Sequence, residues 1–262
     1  MVELRLYTAV TGVRIFHRRP NTGIIMIKFN PNIFAVSNSY RDRMKVTEIG
    51  NAKSRLVEID GFFERPDDVR AFLLQLPIQD ATTKRSTGTF FPGYQTFIKY
   101  EIPALESFYK ELSREVFGFN PLGLVYSYQC IDGNKPVHKQ SCLPHADPMC
   151  FASNVFLNYE EEIGENSGTA FYRSRHTNNE IRPAKKSPYR VDRDYGHKPP
   201  NLGITRFTPI IYNDDWQQYH VSLQKFNKMN MYEGALYHSA FIKFNTFTQT
   251  PRLSFVAGDV FD

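Results

Sequence analysis

The hydrophobic pattern of this chain changes period at Gly118, and that change decides what the chain can fold into. Before it, two segments follow helical grammar. Pro66-Asp67-Asp68 puts proline in a first turn and acids at the positive end of the dipole; Val69, Phe72, Leu73 and Leu76 then line one face, and Pro77 stops the run. Pro103 opens the second segment, in which Leu105, Phe108, Tyr109, Leu112 and Val116 recur at helical spacing and Gly118 supplies the C-cap. Beyond it come short runs rich in Val, Ile, Phe and Tyr at residues 124–130, 151–158, 169–175, 206–212, 229–232, 235–238 and 253–257. Turn residues such as Asp132-Gly133, Asn166-Ser167-Gly168 and Glu233-Gly234 punctuate them, and Leu56-Val57-Glu58-Ile59 is an earlier strand of the same kind. Two helices followed by seven or more strands predict an α+β chain whose larger part is a sandwich or jelly roll with flanking N-terminal helices.

A chain of 262 residues can bury one sizeable core. We read residues 51–262 as a jelly-roll domain and residues 1–50 as an N-terminal extension, the two forming one structural unit. The extension mixes short apolar runs such as Gly23-Ile24-Ile25-Met26-Ile27 with basic patches, and its role is not readable. Aromatics at 15% of residues argue against disorder. No apolar run approaches the roughly 20 residues of a membrane span, and the first twenty residues lack the pattern of a secretory signal. Cys130, Cys142 and Cys150 are odd in number and lack zinc-type spacing, which favours a reducing, cytoplasmic setting. The net charge of +5 is too small and dispersed for a nucleic-acid binder, although it suits an anionic substrate or cosubstrate.

One His in the chain has a carboxylate two residues later: His145-Ala146-Asp147. Extended backbone puts residues i and i+2 on one face, so a strand here aims an imidazole and a carboxylate at one point. A facial triad for non-haem Fe(II) needs a second, distant His. His176 and His197 sit in a polar, proline-containing stretch and His220 in a run of mixed character, whereas His238 ends the apolar run Ala235-Leu236-Tyr237. His238 is therefore the best-framed partner, and Arg252-Leu253-Ser254-Phe255-Val256 follows it.

His145-x-Asp147, His238 and Arg252-x-Ser254, in that order, resemble the motif set of the Fe(II)- and 2-oxoglutarate-dependent dioxygenases, prolyl-hydroxylase-like members in particular. The runs Phe151 to Asn158 and Asn166-Ser167-Gly168-Thr169-Ala170-Phe171 resemble the strand and the Gly-rich turn that follow the first motif there. A Gly-Thr-Ala-Phe-Tyr-Arg run is also shared with an uncharacterised bacterial and phage branch. The resemblance covers residues 56–262 and implies a double-stranded β-helix, which is a jelly-roll core. It further implies that His145, Asp147 and His238 hold Fe(II), that Arg252 pairs with the distal carboxylate of 2-oxoglutarate, and that Ser254 adds a hydrogen bond. A tyrosine on the strand at 124–130 commonly touches the cosubstrate in that family, which points to Tyr126 or Tyr128, with Tyr128 slightly favoured. A planar, permanently charged guanidinium suits the dianion role.

The implied reaction consumes O2, decarboxylates 2-oxoglutarate to succinate and CO2, and hydroxylates a C–H bond of an amino acid, a peptidyl side chain or a small metabolite. Halogenating relatives replace the motif carboxylate by a small residue, whereas Asp147 is present, so hydroxylation is favoured. Nucleic-acid demethylases of the superfamily carry a second Arg six residues after the first; here that position is Gly258. Residues 173–203 form a long basic insertion on the substrate side, and Arg173 or Arg175 at its start is the expected contact to a substrate carboxylate. Two competing readings remain: a non-catalytic jelly-roll binding or structural module, and a cupin-like metal enzyme that needs no 2-oxoglutarate.

Overall fold

In a computed structural model, which describes residues 29–81, 91–163, 167–183, 204–205, 209–243 and 245–259, with backbone alone at 138–140 and 204–205, strands dominate. In chain order the elements are β1 (Met44–Ile49), β2 (Ser54–Ile59), α1 (Pro66–Leu73), β3 (Gln79–Asp80), β4 (Tyr94–Ile98), α2 (Pro103–Leu112), β5 (Leu124–Ile131), β6 (Val137–His138), β7 (Phe151–Phe156), β8 (Gly168–Ser174), β9 (Ile204–Thr205), β10 (Trp216–Leu223), β11 (Met229–Glu233), β12 (His238–Phe241) and β13 (Arg252–Asp259). Both helices start at the predicted prolines, whose fixed φ suits the first helical position. The second continues from α2 into a π-helical turn, Ser113–Phe117, and ends at Gly118, whose φ of +79° is the left-handed conformation a C-cap glycine adopts at little cost.

Eight strands form one sheet in the order β1-β2-β11-β7-β13-β5-β4-β3, and a three-stranded sheet has the order β10-β8-β12. Every pairing among these strands is antiparallel. The inner faces of the two sheets meet: the Asn230 amide on β11 donates to Thr169 Oγ1 on β8 and Ser222 Oγ on β10, each at 3.2 Å. The arrangement is a jelly-roll-like sandwich, with the helices against the outer face of the large sheet. Alternation along each strand sorts the residues. Leu253, Phe255 and Ala257 of β13, Tyr126, Tyr128 and Cys130 of β5, and Met229 and Met231 of β11 face the helices, in one cluster with Phe72, Leu105 and Tyr109. Arg252, Ser254, Ser127, Gln129, Asn230 and Tyr232 therefore face the other way.

The expected strands at 124–130, 151–158, 169–175, 229–232 and 253–257 correspond to β5, β7, β8, β11 and β13. Three differences have local causes. In the expected strand at 206–212, residues 209–211 lie in no strand, Tyr212 makes one isolated bridge, to Gln217, and 206–208 fall outside the described residues. The run at 235–238 is a turn closed by the Leu236 N–H on the Glu233 carbonyl, so its strand begins only at His238. β10 read as a mixed sequence because its register shifts between Gln218 and His220, a bulge that breaks the period-two alternation. The boundary set at residue 50 falls within the β1–β2 hairpin; residues 1–28 lie outside the described residues. Among the described residues no helix is long and apolar enough to cross a membrane, and none of the three cysteines forms a disulfide.

Candidate metal centre

His145, Asp147 and His238 come together from two segments. His238 opens β12, where it pairs with Phe171 of β8. On its other side the 143–147 segment joins through a single antiparallel bridge: the His145 N–H donates to the His238 carbonyl at 2.9 Å and the His238 N–H returns a bond to the His145 carbonyl at 2.8 Å. The Asp147 N–H donates to the Gly234 carbonyl at 2.8 Å, which ties the segment to the turn after β11.

One ligand atom from each of the three side chains lies within 4.8 Å of the others. His238 Nε2 stands 3.4 Å from Asp147 Oδ2 and His145 Nε2 3.9 Å from Asp147 Oδ1. The ring centroids of the two imidazoles are 4.6 Å apart. Each Nδ1 lies against the carbonyl two residues earlier, His238 on Leu236 at 2.9 Å and His145 on Leu143 at 3.4 Å. A carbonyl can only accept, so it favours the proton on Nδ1 and leaves the Nε2 lone pair facing the cluster, as a metal-binding imidazole requires. Burial alone would raise the Asp147 carboxyl, but the charge and hydrogen bond of His238, with His145 and Arg182, outweigh it and hold the pKa at about 2. Surrounding protein and the His238 imidazole push the His145 pKa down, which keeps that ring neutral. Two imidazoles and one carboxylate on one face, with positions left open, suit non-haem Fe(II). His238 is 7% exposed, Asp147 28% and His145 51%, so the cluster opens to solvent on the His145 side.

Arg252 is buried on the inner face of β13. Its Nε donates to Gln224 Oε1 at 3.1 Å and its Nη2 to the Gly168 carbonyl at 3.2 Å, both neutral acceptors, and its guanidinium lies over the Phe156 ring. Among the described residues no carboxylate pairs with it. Burial, slightly opposed by Tyr232, lowers its pKa to about 10, so it stays charged at neutral pH. Ser254, also buried, shares its face.

Tyr232 links the two groups, and sequence reasoning missed it. Its ring packs edge-on against His238 at 4.8 Å, its hydroxyl accepts from the Asn154 amide at 3.3 Å, and it interacts electrostatically with both Asp147 and Arg252. The available signal was parity, since Tyr232 and Asn230 are the inward residues of β11. Tyr126 and Tyr128 are not brought to the triad; they lie in the helix-side core, where Tyr126 stacks on Phe255 at 5.6 Å and its hydroxyl has no partner. Their strand was located correctly, but its inward face carries Ser127 and Gln129. Burial pushes both phenols up.

Arg173 is committed to Glu180, which also accepts the Asn51 and Ala52 N–H groups at 3.0 and 2.9 Å. Arg175 donates to the Asn213 carbonyl at 2.9 Å and lies over the Tyr212 ring. The basic residue that reaches the triad is Arg182, whose Nη1 lies 3.4 Å from the Ala146 carbonyl. The rest of the basic insertion, residues 184–203, lies outside the described residues apart from this start.

The model of a family described as "Family of unknown function (DUF6445)" matches residues 41–255. No protein of curated function matches the chain. Among solved structures, the crystal structure of the non-heme alpha ketoglutarate dependent epimerase SnoN from nogalamycin biosynthesis is similar over 78% of each chain, at 16% identity and a TM-score of 0.38.

Proposed function

We propose that this chain, which belongs to the DUF6445 family, is an Fe(II)- and 2-oxoglutarate-dependent oxygenase, and specifically a hydroxylase. One juxtaposition supports the reading above all. A buried guanidinium with only neutral acceptors faces the same interior as a cluster of two imidazoles and a carboxylate, with Tyr232 packed against His238 on that interior. An unpaired buried charge costs several kcal/mol. A dianion that also chelates the metal would supply the missing negative charge.

The strand order fits the reading. From β5 onward, leaving aside the separate β6–β9 pair, the chain passes back and forth between the two sheets: β5 large, His145 small by its bridge, β7 large, β8 and β10 both small, β11 large, β12 small, β13 large. We take this alternation as a double-stranded β-helix.

In this assignment His145, Asp147 and His238 hold iron, and Arg252 with Ser254 receives the distal carboxylate of 2-oxoglutarate. When bound, iron would couple the oxidation of 2-oxoglutarate by O2 to oxidation of a substrate C–H bond. The chain's own part is to position and to dry. The Asn154 amide occupies an acceptor site of the Tyr232 hydroxyl and leaves its proton free to donate toward the cosubstrate. Phe156 and Phe171 wall the interior against water. Asp147 occupies the position that halogenating relatives leave open, which favours hydroxylation. The position at which the demethylases carry their second arginine is Gly258, and a small-molecule or peptidyl substrate in the cytoplasm is the reading we favour over nucleic acid.

Anaerobic titration with Fe(II) and then 2-oxoglutarate tests the assignment. We expect a weak visible charge-transfer band in the wild type that is lost in His238→Ala. Metal binding without the band would favour a metal enzyme that uses no 2-oxoglutarate, and no metal binding would leave a non-catalytic module.

A further inference from the structure

We infer that Arg182 anchors the substrate, and that the substrate presents a carboxylate beside the metal. This rests on the oxygenase reading and adds to it the chemical class of what is oxidised.

The basic residues at the end of β8 and just beyond it differ in one respect. Arg173 is neutralised by Glu180, Arg175 lies 3.9 Å from Asp214, and His176 is 2.8 Å from Asp215. Arg182 alone of these has no carboxylate partner among the described residues. Nor does it hang free. Its N–H donates to the Ala235 carbonyl at 2.8 Å, and its neighbour Ile181 bridges to Leu236, so its backbone is clamped to the turn that leads into His238. The side chain is half-buried, and among the described residues its single hydrogen bond is to the carbonyl of Ala146, the residue between two of the proposed metal ligands. A guanidinium has five N–H donors in a planar fork, so four remain for a ligand.

Charge counting points the same way. A divalent iron together with Arg252 and Arg182 carries one more positive charge than Asp147 and a 2-oxoglutarate dianion can cancel. A monoanionic substrate group closes that balance, and Arg182 already reaches the carbonyl of Ala146, between His145 and Asp147. A pre-positioned, partly desolvated arginine recognises carboxylates bidentately. The alternative is that Arg182 serves only as counter-charge to Asp147, whose carboxyl it helps to keep ionised.

The full chain loaded with Mn(II) and saturating 2-oxoglutarate separates these roles. The probe is trifluoroacetate, a small monocarboxylate, with uncharged trifluoroethanol as its control, and the readout is paramagnetic relaxation of the fluorine signal. We expect stronger relaxation of trifluoroacetate than of trifluoroethanol, reduced about fivefold in Arg182→Ala. Arg182→Lys should keep part of the effect, because it keeps the charge without the fork. Mn(II) affinity, followed by electron paramagnetic resonance, should be unchanged in both variants. Equal relaxation of the two probes, or relaxation unaffected by Arg182→Ala, overturns the inference. Weakened Mn(II) binding with undiminished trifluoroacetate relaxation also overturns it and makes Arg182 a positioning residue for Asp147. A wild type that binds neither Mn(II) nor 2-oxoglutarate refutes the oxygenase reading itself, and the inference falls with it.

Discussion

The two faces of the large sheet are built by the same strands one residue out of step, yet they share almost no chemistry. Toward the helices, Phe255 meets Phe34, Phe63 and Tyr126 at 5.5 to 5.9 Å, and the polar link between α2 and β7 there is the Tyr109–Ser153 hydroxyl pair at 3.0 Å. Toward the small sheet, the neighbouring residues are Arg252, Ser254, Asn154, Asn230, Tyr232 and Glu58; Asn154 bonds to Asn230 and Tyr232, Glu58 accepts from Ser222, and Arg252 donates to Gln224. One face gains stability from burying area. The other holds a charge and several amides out of water, a cost that a binding site repays only when its ligand arrives. Stability and affinity should therefore respond to substitution on opposite faces.

The largest effect is expected on the helix face. Phe255→Ala should destabilise the protein by about 3–5 kcal/mol in chemical denaturation, because a fully buried ring leaves a cavity walled by other rings. Three residues away, Arg252→Met should lower 2-oxoglutarate affinity by about a hundredfold, or ~2.7 kcal/mol, while changing stability by less than about 1 kcal/mol. A large stability loss there would mean that the inner face is structural as well.

The segment that carries the candidate ligands across from that inner face should be acid-sensitive as well. In metal-free protein the Asp147 carboxyl titrates at about 2, below its ordinary 3.8. A folded pKa below the unfolded one contributes stability that is complete above about pH 4 and lost as pH falls through 2. Asp147→Asn should shrink the stability difference between pH 5 and pH 2 by about 2 kcal/mol. The smallest effect sharpens the comparison further. Tyr126→Phe removes a buried hydroxyl that has no partner among the described residues, so it should leave stability unchanged or raised by up to about 1 kcal/mol and leave 2-oxoglutarate affinity alone. Tyr232→Phe, by contrast, should weaken cosubstrate binding.

What could be read from the sequence was local. Proline at a first helical position, apolar residues at helical spacing and glycine after the last turn placed both helices, because each signal acts within a few residues. The His-x-Asp spacing likewise announced one face of one short segment. Which face of β5 looks inward was not local, since it depends on the parity of its pairing with β13, and both parities offer bulky or polar residues in that strand. Arg70 shows the same limit: it sits on the buried side of α1 because Glu162, far along the chain, pairs with it at 2.7 Å. Arg182 was visible only as one cation among many until the fold gave its neighbours their carboxylates.

The single bridge between His145 and His238 ties the two proposed imidazole ligands to one another through their own main chains. Each of the two amides is shielded from solvent exchange by the other residue's carbonyl. Any local opening of the 143–147 segment that exposes one amide also disperses the ligand set. Metal occupancy and amide protection are thus two readings of one equilibrium, and each tenfold excess of metal over its dissociation constant should slow exchange at both histidines by about tenfold. Iron would act on this segment as a strand partner does elsewhere in the sheet, by closing a pairing that the backbone alone leaves one residue long.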